Sequence, residues 1–80
     1  MEELLLWIAQ GLVDEPDAVQ IERIDEGDVV VLRLHVADGD VGKVIGRHGR
    51  VARALRTVVR SAGVRSDRRL VLEIAEDLVG

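Results

Sequence analysis

Apolar residues change their spacing several times along the chain, and each change marks an element. From Glu2 to about Val13, Leu4, Leu5, Ile8, Ala9 and Leu12 recur at intervals of three and four, which predicts a helix with one apolar stripe. Asp14 to Pro16 ends it, because the residue before a proline is driven out of helical geometry. Residues 19–24 and 29–36 predict two strands. In the second, Val30, Leu32, Leu34 and Val36 alternate with Val29, Val31, Arg33 and His35, giving one buried and one wetter face. Asp25-Glu26-Gly27-Asp28 between them is turn chemistry, and a hairpin is the simplest connection. Val41 to Ile45 is long enough for a short helix. Val51, Ala54, Leu55, Val58, Val59 and Ala62 then fill one arc of a long helix, with Arg53, Arg56 and Arg60 opposite and Arg50 on its flank. Gly63 is its natural stop. Leu70, Leu72 and Ile74 alternate with Val71 and Glu73 as a third strand, and a short polar tail follows. The order is helix, strand, strand, short helix, glycine loop, long helix, strand, an α+β arrangement without repeats or linkers. Trp7, the only aromatic residue, lies near the first stripe and is expected in core or interface packing.

Eighty residues make a single domain, residues 1–80, with a thin core: a chain of this size buries only about 60% of the surface exposed on unfolding. Hydrophobic residues make up 48% of it and are nearly all aliphatic, enough for one compact core without staples. With no cysteine, disulfides and thiolate metal sites are excluded. The acidic Met1-Glu2-Glu3 does not resemble a secretory signal, and no apolar run approaches the roughly 20 residues of a membrane span. A cytoplasmic protein without membrane association is the expectation.

Charge changes the picture more than composition does. The net charge is -4, yet residues 41–66 carry Lys43, Arg47, Arg50, Arg53, Arg56, Arg60 and Arg65 and no acid. Residues 1–40 hold eleven acids against Arg23 and Arg33, and residues 67–80 hold four acids against two bases. A polyanion is steered by the local field, not by the total charge. A solvated helix face normally mixes both signs, so the arginine face points to a binding surface.

A GxxG string alone carries little weight in a chain with eight glycines, and a second one stands at Gly39-Asp40-Val41-Gly42 with an acidic middle. Gly46-Arg47-His48-Gly49 differs in its setting, between a short apolar helix and a long amphipathic one. Glycine at both ends permits a sharp turn and close approach of a ligand to the backbone. Amides opening the next helix carry partial positive charge, and Lys43, Arg50 and Arg53 lie within about a turn on either side. That combination suits a sugar-phosphate backbone. His48 is a hydrogen-bond donor for phosphate or sugar, whereas His35 reads as an exposed sheet residue. A Walker loop is excluded because Val44 follows Gly42-Lys43 and Ala37 stands where its first glycine belongs. No GxG exists for a dinucleotide, and aromatic stacking platforms have no Phe or Tyr to build them.

The string Gly42-Lys43-Val44-Ile45-Gly46-Arg47-His48-Gly49-Arg50 resembles the signature loop of KH domains, whose GxxG holds about four nucleotides. The element order resembles the bacterial type II form of that fold, a three-stranded sheet packed on one side by three helices. The whole chain, including Val51-Ala52-Arg53-Ala54-Leu55-Arg56-Thr57-Val58-Val59, is similar to the small single-KH proteins of the KhpA family. This resemblance implies noncatalytic binding of single-stranded RNA, as a chaperone or post-transcriptional regulator, through Lys43, Val44, Ile45, Gly46, Arg47, His48, Gly49, Arg50 and Arg53. Gly46 and Gly49 would allow close approach, Arg47 and His48 would be the variable loop positions, and Val44 and Ile45 would help form an apolar groove floor. Many KH domains carry a large aliphatic residue where Ala52 stands, which implies a shallower groove here. Val64 to Arg68, at the variable loop, would add few contacts. The resemblance also implies a homodimer, or pairing with a larger Jag-like protein that has its own KH domain. Neither cofactor nor metal nor catalytic residue is expected. Two other readings are a protein-interaction adaptor with weak RNA affinity and a helix-hairpin-helix-like DNA binder.

Overall fold

The computed structural model describes residues 1–64 and 67–75. The predicted polar tail, Arg65 of the cationic segment and part of the expected variable loop lie outside the described residues. The elements are α1 (Glu2–Leu12), β1 (Gln20–Glu26), β2 (Val29–His35), α2 (Val41–Ile45), α3 (Arg50–Gly63) and β3 (Arg69–Ile74). Single 3-10 turns stand at Pro16–Ala18, Asp38–Asp40 and Arg47–Gly49.

Strand β2 is central. It pairs antiparallel with β1, from Gln20 opposite His35 to Glu26 opposite Val29, and parallel with β3, from Val29 beside Arg69 to Leu34 beside Ile74. Parallel neighbours cannot be joined by a tight turn. The segment α2–loop–α3 is the required crossover, and so it lies across one face of the sheet. That face carries the expected alternation: Val30, Leu32 and Leu34 are enclosed, with Leu72 and Ile74 beside them. Leu5, Ala9, Val44, Ala52, Leu55 and Val59 from the three helices close the core over them. The fold is therefore α+β, with a mixed three-stranded sheet and its helices on one side.

Three expectations shift. Strand β1 runs on through Asp25 and Glu26, which the turn chemistry had placed outside it. The turn contracts to Gly27-Asp28, with Gly27 at φ 81°, its N–H donating to Asp25 Oδ1 at 3.1 Å, and Arg68 pairing with the Asp25 carboxylate. On α1 the enclosed residues are Leu5 and Ala9, while Leu4, Leu12 and Trp7 are exposed, Trp7 at 72%. Trp7 is thus not core packing. On α3 the inner line is Ala52, Leu55 and Val59, and Ala54 faces outward with Arg53. Ala52 is accordingly a core residue, so its small side chain is not part of a groove surface.

The uncovered face of the sheet is held by charge pairs across strands. Arg33 Nε lies 3.1 Å from Glu73 Oε1, and Arg33 also meets Glu22, which His35 Nε2 approaches to 3.1 Å. The hydrogen bond with His35, aided by Arg33, outweighs the cost of desolvation and holds the Glu22 carboxyl below its ordinary value. His35 belongs to this network and is half-buried.

Candidate nucleic-acid interface

Three of the four residues in the loop between α2 and α3 have positive φ. Gly46 (φ 77°), His48 (φ 57°) and Gly49 (φ 72°) all have positive φ, and His48 is the one non-glycine residue to do so among the described residues. The left-handed region costs an L residue roughly 1–2 kcal/mol, although histidine is among the side chains more often found there. Such an outlier points to a constraint beyond folding. Gly46 carries a second requirement. A Cβ there would lie 2.5 Å from Val51 Cγ2 and 2.9 Å from Val51 N, so the turn closes only with glycine. Gly46 N–H donates to Gly42 O at 2.8 Å and Gly49 N–H to Gly46 O at 3.1 Å, which locks the loop between its helices.

This geometry turns Arg47 and His48 outward, both exposed, at the head of α3. No side chain caps that helix, and its first turn holds no acid but begins with Arg50. Cations at the positive end of a helix are the wrong sign for stability. An anion placed there would meet the outward amides and cancel the repulsion. By contrast, α1 begins with Glu2 and Glu3, the sign its own dipole favours.

Lys43 is placed differently from the expectation. Its ammonium lies 3.2 Å from Asp14 and 3.4 Å from Asp40, and these carboxylates, Asp14 foremost, raise its pKa. Asp40 is only 3% exposed and accepts two backbone hydrogen bonds, from Asp14 N–H at 3.2 Å and from Glu15 N–H at 3.0 Å. Burial works against its charge, but those bonds and Lys43 prevail, and its pKa is lowered. Asp40 thereby ties the segment after α1 to the start of α2, and Lys43 joins that tie. Val44 is fully enclosed in the core, while Ile45 is only partly covered.

The remaining cations form a surface. Arg47, Arg50, Arg53, Arg56 and Arg60 are exposed, and none makes an ion pair among the described residues, whereas Arg23, Arg33, Lys43 and Arg68 all do. Downstream of the loop, α3 and β3 border a groove of about 400 Å³ lined by Arg56, Arg60, Arg69, Leu70, Val71 and Leu72. Gly63 lets the end of α3 come close to this strand, since a Cβ there would lie 3.0 Å from Leu70 N. The sequence places Arg56 and Arg60 on the cationic face of the long helix without fixing what they meet; the fold sets Arg69 beside them.

The model of the KhpA/KhpB KH domain matches residues 2–74. The chain belongs to the KhpA/KhpB KH-domain family. The fold is consistent with the type II KH arrangement. The chain is 47% identical over 74 residues to the RNA-binding protein KhpA of Clostridium acetobutylicum, covering 92% of this chain and 99% of that protein. It is 47% identical over 75 residues to the RNA-binding protein KhpA of Treponema pallidum, covering 94% of each. With the RNA-binding protein KhpA of Bacillus subtilis the identity is 43% over 74 residues, 92% of this chain and 91% of that one. No solved structure matches the chain. Among the described residues no cluster of His, Cys, Asp or Glu could hold a metal ion, and no helix is long and apolar enough to cross a membrane.

Proposed function

We propose that this KH domain binds single-stranded RNA without catalysing a reaction, gripping the sugar-phosphate backbone at Gly46–Gly49. The observation that carries the reading is the uncapped, acid-free start of α3, where Arg47, His48 and Arg50 stand exposed and without carboxylate partners. The names of its KhpA relatives point the same way. In this reading the backbone meets the loop amides, Arg47, His48, Arg50 and Arg53, and the strand continues along the α3–β3 groove past Arg56, Arg60 and Arg69. Ile45 and the apolar residues of β3 offer surface to the bases. Lys43 and Val44 hold the loop in place and make no direct contact.

With no aromatic platform in the groove, base selectivity is weak, which suits a chaperone or a general post-transcriptional regulator. About four nucleotides per KH site bind weakly alone. A second copy, or a larger KH-containing protein of the Jag kind, would raise the effective concentration of sites. The deciding experiment is the salt dependence of binding to a single-stranded oligoribonucleotide, with and without Arg47→Asp and His48→Asp together. Three to four phosphate contacts give a log–log slope of roughly -2 to -3. The double change removes binding while circular dichroism and melting stay put. Unaltered affinity would take the loop out of the mechanism, and preference for duplex DNA would favour the helix-hairpin-helix-like reading.

A further inference from the structure

The acidic half of the molecule carries an apolar face that RNA binding does not use. On α1, the exposed Leu4, Trp7 and Gly11 recur at three and four residues' separation, with the partly buried Ile8 at their edge packed against the core. Leu4 is 46% and Trp7 72% exposed, and Trp7, Ile8, Gln10, Gly11 and Leu12 line a shallow hollow. No described residue lies within 4 Å of where a Gly11 side chain would begin, so among the described residues the hollow beside the indole is open. The only tryptophan of the chain thus stands exposed, on a face that the described residues leave uncovered. Exposed aromatic groups beside an apolar notch are a recurring anchor at protein interfaces.

Charge decides what can cover it. Residues 1–19 hold Glu2, Glu3, Asp14, Glu15 and Asp17 and no Lys or Arg. Glu3 stands one turn before Trp7, and Asp14, whose carboxylate also meets Lys43, and Glu15 follow just beyond the end of α1, all three exposed. This rim repels a polyanion. It also repels a second copy, whose own α1 would bring Glu3, Asp14 and Glu15 against the same charges. An α-helix of eleven residues is only about 16 Å long, too small for the roughly 800 Å² per partner of a standard stable interface between globular chains. It matches a helical segment laid along it.

We propose that the outer face of α1 docks a basic amphipathic helix of another protein, its apolar residues on Leu4, Trp7 and the Gly11 notch and its Lys or Arg against Glu3, Asp14 and Glu15. The cationic face of α3 then remains open to RNA while α1 is engaged.

Trp7 is its own reporter, because no other residue of the chain emits in its range. The probe is a synthetic helical peptide of about 15 residues with leucines on one face, lysines flanking them and no aromatic residue. Titrated into the full chain, it should shift Trp7 emission to the blue, saturably and less at high salt. A peptide of the same composition in scrambled order should bind about tenfold more weakly, as should the original peptide to Glu3→Lys. Trp7→Ala, followed by calorimetry, should weaken binding roughly thirtyfold without lowering the melting temperature, since the side chain supports nothing in the core. The Arg47→Asp, His48→Asp pair should leave peptide binding intact, which separates this proposal from the RNA reading. Equal affinity for the scrambled peptide, no spectral shift, a shift produced by raising protein concentration alone, or a shift produced by oligouridylate would each overturn it.

Discussion

Val51 occupies the space that any side chain on Gly46 would need: the ideal Cβ position lies 2.5 Å from Val51 Cγ2. Gly49, three residues on, has nothing within 4 Å and needs glycine only for its φ of 72°. The two ends of the motif are therefore constrained for different reasons, and their alanine variants should differ. Gly46→Ala combines a left-handed alanine with a clash against backbone and a β-branched side chain, about 2–5 kcal/mol in all. Gly49→Ala bears only the first, about 1–2 kcal/mol. Urea unfolding followed by circular dichroism should rank them in that order, and equal losses would mean that Val51 yields at little cost.

Asp40 gives the fold a dependence on pH whose sign is fixed. Burial opposes its ionisation, but the N–H groups of Asp14 and Glu15 and the Lys43 ammonium outweigh that, and its pKa lies below the ordinary 3.8. An acid with a depressed folded-state pKa adds stability that is present above the unfolded value and is lost as pH falls through the folded one. Asp40→Asn, which cannot accept both backbone bonds through two carboxylate oxygens, should therefore lower the urea midpoint at pH 7. The gap to the parent chain should narrow below pH 3.8 as the parent loses its own carboxylate. A gap that stays constant across that range would mean that the charge of Asp40 is not what holds the α1–β1 connection.

What the sequence made legible was local. The alternation of Val30, Leu32 and Leu34 named the inner face of β2, and the setting of Gly46–Gly49 between two helices singled it out from the chance string at Gly39–Gly42. The stripe on α1 was read one position too wide, because a 100° step cannot say which edge of an apolar arc meets the sheet; only packing turned Leu5 inward and Leu4 and Trp7 out. The role of Asp40 was invisible for a different reason. Its partners Asp14 and Glu15 lie 26 and 25 residues away, and no local pattern connects them. The parallel pairing of β3 with β2 is likewise non-local, and with it went the α3–β3 groove and Arg69. Lys43 was a missed opportunity, since Asp40 three residues earlier on the same turn is a recognised helical partner.

That partnership changes what Lys43 is expected to do. Its charge is already shared by two carboxylates, while Arg47 faces solvent with no acid beside it. Lys43→Gln should therefore reduce thermal stability but alter the salt slope of RNA binding little. Arg47→Gln should leave stability alone and make the slope shallower by about 0.7, the contribution of one phosphate contact on a single strand. A slope change for Lys43→Gln as large as that for Arg47→Gln would show that the ammonium leaves Asp14 for phosphate when RNA arrives.

The arginines of the α3–β3 groove test how far the bound strand extends. Arg56 and Arg60 are one helical turn apart on α3 and face Arg69 at the start of β3 across the same groove. If the chain of nucleotides runs from the loop along this groove, then Arg56→Gln and Arg60→Gln together weaken binding to an oligomer long enough to fill loop and groove. They leave binding to a shorter one that occupies the loop alone nearly unchanged. The loss should be uniform across base sequences, because phosphate contacts position the strand without reading it. Stability should not fall, since neither side chain has an ion-pair partner among the described residues to lose. A loss that is equal for short and long oligomers would place these arginines in the general electrostatic field of α3, acting on the rate of encounter and its salt dependence, and not in contact with the far end of the strand.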